Sequence, residues 1–187
     1  MDRRSVLKTV SILLGGAMSA GTVSAVMSGC TADTSSNWVP QILSKDQVKM
    51  LAEVVDIILP ATNTPGAKEL LVHRFMDKFI AECLSKDEQD KVLKGFETIN
   101  AASLDVSGGK DFVKASPEDR LAVLSAYDKA SAKDGSHFFR SIKGLAIMGY
   151  FSTEVGQTKA LQHIAVPGRY EGCIPLAEAG EGRSWAQ

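Results

Sequence analysis

Three times along the chain a serine precedes residues that open a helix. Ser44-Lys45-Asp46-Gln47 and Ser85-Lys86-Asp87-Glu88 each place an amide or carboxyl side chain three residues after the serine. There the hydroxyl accepts from a free first-turn amide while the later side chain reaches back to the serine N–H. Ser116-Pro117-Glu118-Asp119 instead puts proline at the first helical position, where its missing N–H would have had no partner.

Apolar residues follow these caps at helical spacing. Val48, Leu51, Val54, Val55, Ile58 and Leu59 form one stripe, ended by Pro60. After the turn Ala61-Thr62-Asn63-Thr64-Pro65-Gly66, a second stripe runs through Leu70, Leu71, Phe75, Met76, Phe79, Ile80 and Cys83. A third carries Val92, Leu93, Phe96, Ile99 and Leu104, and a fourth Leu121, Val123, Leu124 and Tyr127. Ser107-Gly108-Gly109-Lys110 reads as a flexible joint between them. A fifth helix is predicted from Ser136 to about Tyr150, and a short sixth after Ser152-Thr153-Glu154-Val155.

No useful length of chain alternates with the two-residue period of a half-buried strand. The expected fold is therefore all-α, an irregular bundle of five to six helices with an extended, irregular C-terminal tail. Pro167, Gly168, Gly172 and Pro175 break periodicity there, yet Val166, Tyr170, Ile174 and Leu176 keep the tail apolar. Such residues must pack on the domain itself or on something else.

The chain's 187 residues suffice for one domain with a core. Hydrophobic residues at 44% and charged residues at 23% give the balance of a globular protein, and a formal charge of -1 offers no basic footprint for nucleic acid. Cofactor motifs are missing: there is no Cys-x-x-Cys-His for haem, too few cysteines for a cluster, and no glycine-rich dinucleotide turn. His73, His137 and His163 are too dispersed to set a metal face on one helix turn, and Gly-x-Ser-x-Gly is absent. Asp87-Glu88 and Glu118-Asp119 fall in first helical turns, where the helix dipole accounts for them. No catalytic, cofactor or metal residue is assigned to the chain.

The first 29 residues read as an export signal. A charged start is followed by Thr9 to Ala32, uncharged but diluted by Gly15, Gly16, Ser19, Gly21, Thr22, Ser24, Ser28 and Gly29, too weakly apolar for a stable membrane anchor. Arg3-Arg4-x-x-Leu7-Lys8 resembles the twin-arginine signal of the bacterial Tat route, which carries folded proteins. Asp2 and Val6 depart from its usual pattern, and an ordinary secretory signal is the alternative. Met27-Ser28-Gly29-Cys30 looks like a lipobox with Cys30 as the lipidated residue; cleavage without a lipid, or an uncleaved leader, is the alternative. Loss of three cations and one anion with residues 1–29 moves the formal charge from -1 to -3. Residues 30–43 read as a tether and 44–187 as the helical domain, its tail being 166–187.

Cys83 and Cys173 remain. In an oxidising envelope they could pair, a bridge worth about 4 kcal/mol by loop entropy if unstrained. The alternative is a buried Cys83 with Cys173 free or facing a partner.

Three segments remain, Ile58-Leu59-Pro60-Ala61-Thr62-x-Thr64-Pro65-Gly66-Ala67, Gly149-Tyr150-Phe151-Ser152-Thr153-Glu154-x-Gly156, and Val166-Pro167-Gly168-x-Tyr170-x-Gly172-Cys173, and together they resemble the gluconate 2-dehydrogenase subunit 3 family. Ser152-Thr153 reverses the order of many members. The resemblance implies a non-catalytic small subunit, attached to the membrane on the periplasmic side through a lipid or through its complex. It implies FAD in a separate catalytic large subunit of the glucose-methanol-choline type, with electrons leaving through a cytochrome c subunit or another acceptor. It also implies that the leader, read by the Tat translocase, serves both chains. On this reading the partner contacts are Pro60, Thr64, Pro65, Gly66, Tyr150, Phe151, Pro167, Gly168, Tyr170, Ile174 and Leu176. Two other classes stay open: a stand-alone envelope lipoprotein acting as a binding module, and a subunit lending Glu154 or His163 to a shared active site.

Overall fold

A computed structural model describes residues 38–164 and, beyond them, 166, 168, 173–175, 177–178 and 182–185. The chain divides after Val39, and the described helices belong to the unit from Pro40 to Gln187. They are α1 (Lys45–Ile58), α2 (Val72–Cys83), α3 (Lys86–Val106), α4 (Pro117–Lys133) and α5 (Phe138–Phe151), followed by a π-helical turn at Gly156–Ala160. No strand occurs among the described residues, although Gln162 and Trp185 form an isolated parallel bridge. The all-α reading holds.

Both capping boxes form as their sequences require. Ser44 accepts from the Gln47 amide while Gln47 Oε1 accepts from Ser44 N at 2.8 Å, and Ser85 and Glu88 repeat the exchange. Ser116 caps α4 with Pro117 at its first position. The fifth helix differs from its predicted start. Ser136 turns to Asp134 Oδ1, and the cap is His137, whose Nδ1 accepts from the Phe139 amide. The short sixth helix emerges as the π-helical turn.

The second helix begins only at Val72, because Leu71 takes left-handed backbone at φ 55°. Its far end has no glycine cap. Instead the buried Gln89 side chain of α3 donates to the carbonyls of Ile80, Ala81 and Leu84, satisfying groups that a helix C-terminus leaves open.

Helix α5 packs against all four others and forms the axis of the bundle. Phe139, Ile142, Ala146 and Tyr150 from α5 meet Leu51, Val54 and Val55 of α1, Met76 and Ile80 of α2, Phe96 and Ile99 of α3, and Val123 and Leu124 of α4 in one buried cluster. Each large side chain so buried contributes about 2 kcal/mol. Phe112, in the α3–α4 connection, is fully buried too, its amide held by Asn100 Oδ1 at 3.1 Å. Leu104 and Leu121, expected on the apolar stripes, are exposed; in the last turns of α3 Ser103 faces inward instead and donates to Lys110 O.

Candidate functional site

The proline that stops α1 begins a turn folded on itself. The Thr62 amide donates to Thr64 O at 3.0 Å and the Ala67 amide to Leu59 O at 2.9 Å, closing residues 59–67 into a loop. Gly66 lies inside it, and a Cβ there would stand 2.8 Å from Ala61 N and 3.2 Å from the Pro60 carbonyl carbon. Any side chain at this position would force the turn open.

This turn meets the end of α5. Tyr150, only 5% exposed, places its hydroxyl 2.8 Å from Thr64 Oγ1 and 3.1 Å from Pro65 O, to which it donates. The two segments lie 86 residues apart in sequence, and a hydroxyl pair clasps them. Directly after α5, Thr153 Oγ1 donates to Tyr150 O at 2.7 Å and accepts from the Gly156 amide at 3.0 Å. Gly156 presses on the Tyr150 carbonyl, so that a Cβ would collide with backbone and the chain could not enter the π-helical turn. Gln157 Nε2 donates to Phe151 O and completes the corner. The reversed Ser152-Thr153 order costs nothing here, since Ser152 Oγ donates to Met148 O.

A three-part ion pair supports the turn from behind. Glu53 of α1 joins Lys68 at 2.6 Å and Arg120 of α4 at 2.7 Å, and Arg120 also donates to Val113 O and Ala115 O. Burial works against the Glu53 charge, yet the hydrogen bond and charge of Lys68, joined by Arg120, hold its carboxyl below the usual value. His73, in the first turn of α2, is pushed below the ordinary histidine value by burial and then by the Arg74 and Lys68 charges.

A second anchor holds the residues that precede α1. The fully buried Asp77 carboxylate accepts from the amides of Gln41 at 2.6 Å, Ile42 at 3.3 Å and Leu43 at 2.9 Å. The segment read as the end of a tether is thus fixed to α2. Neither anchor was recognised from sequence, though Asp77 lies four residues after His73 and three before Ile80, on the buried face. A carboxyl at such a register needs donors, which was the available signal.

Of the residues proposed as partner contacts, the structure brings Thr64, Pro65, Gly66 and Tyr150 together, with Pro60 exposed on the rim and Phe151 half-buried beside Tyr150. Tyr150 and Gly66 are buried, so their groups act within this chain. Beyond the π-helical turn, Gln162 N donates to Ser184 O at 2.8 Å and Arg183 Nη1 to Lys159 O, so Arg183 and Ser184 return to the end of the helical part. The described residues from His163 to Gly182 are exposed, among them Ile164, Val166 at 82%, Gly168 with φ 70°, Cys173 and Ile174. Cys83 is exposed rather than buried, and Cys83 and Cys173 are both free thiols in this structure. Arg3, Arg4, Leu7, Lys8, Cys30, Pro167, Tyr170 and Leu176 lie outside the described residues. Glu154 and His163 are exposed, and no cluster of metal-ligating side chains occurs among the described residues. No helix of the described residues is long and apolar enough to cross a membrane.

No curated protein and no solved structure matches the chain. The family profile described as gluconate 2-dehydrogenase subunit 3 matches residues 45–168, from the first residue of α1 to the glycine of the third motif. That span holds the whole helical bundle and both halves of the clasp. The chain belongs to the gluconate 2-dehydrogenase subunit 3 family and is a small subunit of a dehydrogenase complex that includes a catalytic partner subunit.

Proposed function

We propose that this chain is the non-catalytic small subunit of a periplasmic, flavin-dependent sugar or polyol dehydrogenase, assisting the assembly, stability and Tat export of its catalytic partner. The partner is a glucose-methanol-choline type flavoprotein carrying FAD, and a cytochrome c subunit or another acceptor takes its electrons. Attachment to the membrane comes through a lipid on Cys30 or through the complex itself.

The observation that carries this reading is the contrast between the second and third motifs. In the second, Tyr150 is buried and its hydroxyl is satisfied within the chain. In the third, the described residues Val166 and Gly168 are exposed, as is Ile174 beyond them, on a stretch whose two ends are tied together. Motif residues that stand outside the chain's own core have their use elsewhere, and apolar groups held at the surface gain most by burial against another protein. A leader for folded cargo suits the same picture, because the cargo then includes a flavoprotein.

Co-purification tests this. A tagged full-length chain, isolated from the envelope fraction of its own cells, is expected to bring down one large flavin-containing chain with its visible flavin absorbance. Elution of the small chain alone, without flavin, would overturn the proposal.

A further inference from the structure

Over its last two turns the exposed side of α5 is apolar, although α5 is the helix around which the bundle is built. Gly144, Ile147, Met148 and Phe151 stand at i, i+3, i+4 and i+7, one stripe of the helix. Ile147 is 39% and Met148 40% exposed, Phe151 is half-buried, and nothing lies within 4 Å of the position a Cβ of Gly144 would take. Four residues in that pattern with a glycine floor form the hole that receives a knob from a second helix. The apolar surface continues onto α2, where the ring of Phe75, 37% exposed, lies against Gly149 and stacks at 5.7 Å on Phe79. Elsewhere on the described helices, exposed large apolar side chains are Leu104 and Val106 at the end of α3 and Leu121 on α4. None of these belongs to a stripe with an open floor.

The stripe also specifies charge. Arg140, one turn before Gly144, is its one ionisable member, and it forms no ion pair among the described residues. A matching partner therefore offers a branched or aromatic side chain to enter over Gly144, apolar neighbours for Met148 and Phe75, and a carboxylate toward Arg140.

We infer that the stripe Gly144, Ile147, Met148 and Phe151, extended by Phe75, is the socket in which an amphipathic helix of the catalytic subunit docks, with an acidic residue of that helix meeting Arg140. The inference rests on the function proposed above, and it names a rigid interface distinct from the tail. A socket on the axial helix holds the partner against the folded core, whereas the tail offers a separate set of contacts.

Two substitutions test it by opposite means. Gly144→Leu fills the hole, and because the site is open and helical the change favours folding of the free chain. Met148→Glu adds a carboxylate to the same face. With tagged full-length protein from its own cells, both variants are expected to retain at least tenfold less flavoprotein per small chain than the wild type. The melting temperature of each purified variant should stay within a few degrees of wild type. Gly144→Ala, which leaves the hole largely open, should retain the flavoprotein. Undiminished flavoprotein on both Gly144→Leu and Met148→Glu would overturn the socket and leave the proposed function standing. Absence of flavoprotein from the wild type would overturn both. A dimer of this chain that the two variants dissolve while flavoprotein stays bound would give the face to a second copy and overturn the inference.

Discussion

Tyr150→Phe removes one oxygen atom from the centre of the clasp. That hydroxyl donates to Pro65 O at 3.1 Å and pairs with Thr64 Oγ1 at 2.8 Å, in a side chain only 5% exposed. A net hydrogen bond of this kind is worth about 1 kcal/mol, and leaving a half-buried carbonyl without its donor adds a further part of its desolvation cost. The expected loss is about 1–2 kcal/mol, which for a domain of this size lowers the melting temperature by about 3–6 °C. Thr64→Val should cost about 1 kcal/mol, and the double variant should lose less than the sum by about 0.5–1 kcal/mol, since both changes break the same contact. Urea unfolding of the full chain, followed by circular dichroism, measures all three. The Tyr150 hydroxyl is then a device of the chain's own fold, so Tyr150→Phe should still bind flavoprotein. Singles that unfold like wild type, or strict additivity, would refute the clasp. Intact stability with loss of the flavoprotein would make the hydroxyl an interface group instead.

Three further outcomes follow from the same contacts. Asp77→Ala leaves the amides of Gln41, Ile42 and Leu43 without their buried acceptor and should cost about 3–5 kcal/mol, with early proteolysis at Lys45 as the local sign. Gly66→Ala drives a methyl to 2.8 Å from Ala61 N and should cost about 1–3 kcal/mol by urea unfolding, although alanine normally suits a chain better than glycine. The pH profile of unfolding should show two limbs. His73 has a lowered folded value, so the unfolded chain binds the proton first and stability falls as pH drops below the ordinary 6.5. Glu53 is lowered as well, so its contribution is complete above the ordinary 4.5 and is lost as pH falls through its folded value; Glu53→Gln should remove that acid limb.

Most of the bundle was legible because its signals are local. A serine with its partner three residues later sets a helix start whatever the rest of the chain does, and α1, α3 and α4 begin where those caps stand. Signals that depend on distant residues were not legible. Leu70 and Leu71 continue an apolar stripe, yet the packing of the turn holds Leu71 left-handed and delays α2. Helix α5 starts after a His137 cap and not at Ser136, and Gln89 closes α2 from another helix. The motif residues could be picked out by their pattern, but which of them face inward could not, because the clasp joins positions 86 residues apart. The stripe through Gly144 escaped notice for a related reason. Periodicity marks both faces of an axial helix as apolar, and only the packing of the other four shows which face is left over.

The account's central claim is that one leader moves two chains. Changing Arg3 and Arg4 together to Lys keeps the charge of the leader and removes the arginine pair on which the proposed Tat export depends. In cells fractionated after this change, both the small subunit and the flavin-linked dehydrogenase activity of its partner should remain in the cytoplasm. Normal appearance of that activity in the periplasm, with the small subunit held back, would contradict the claim.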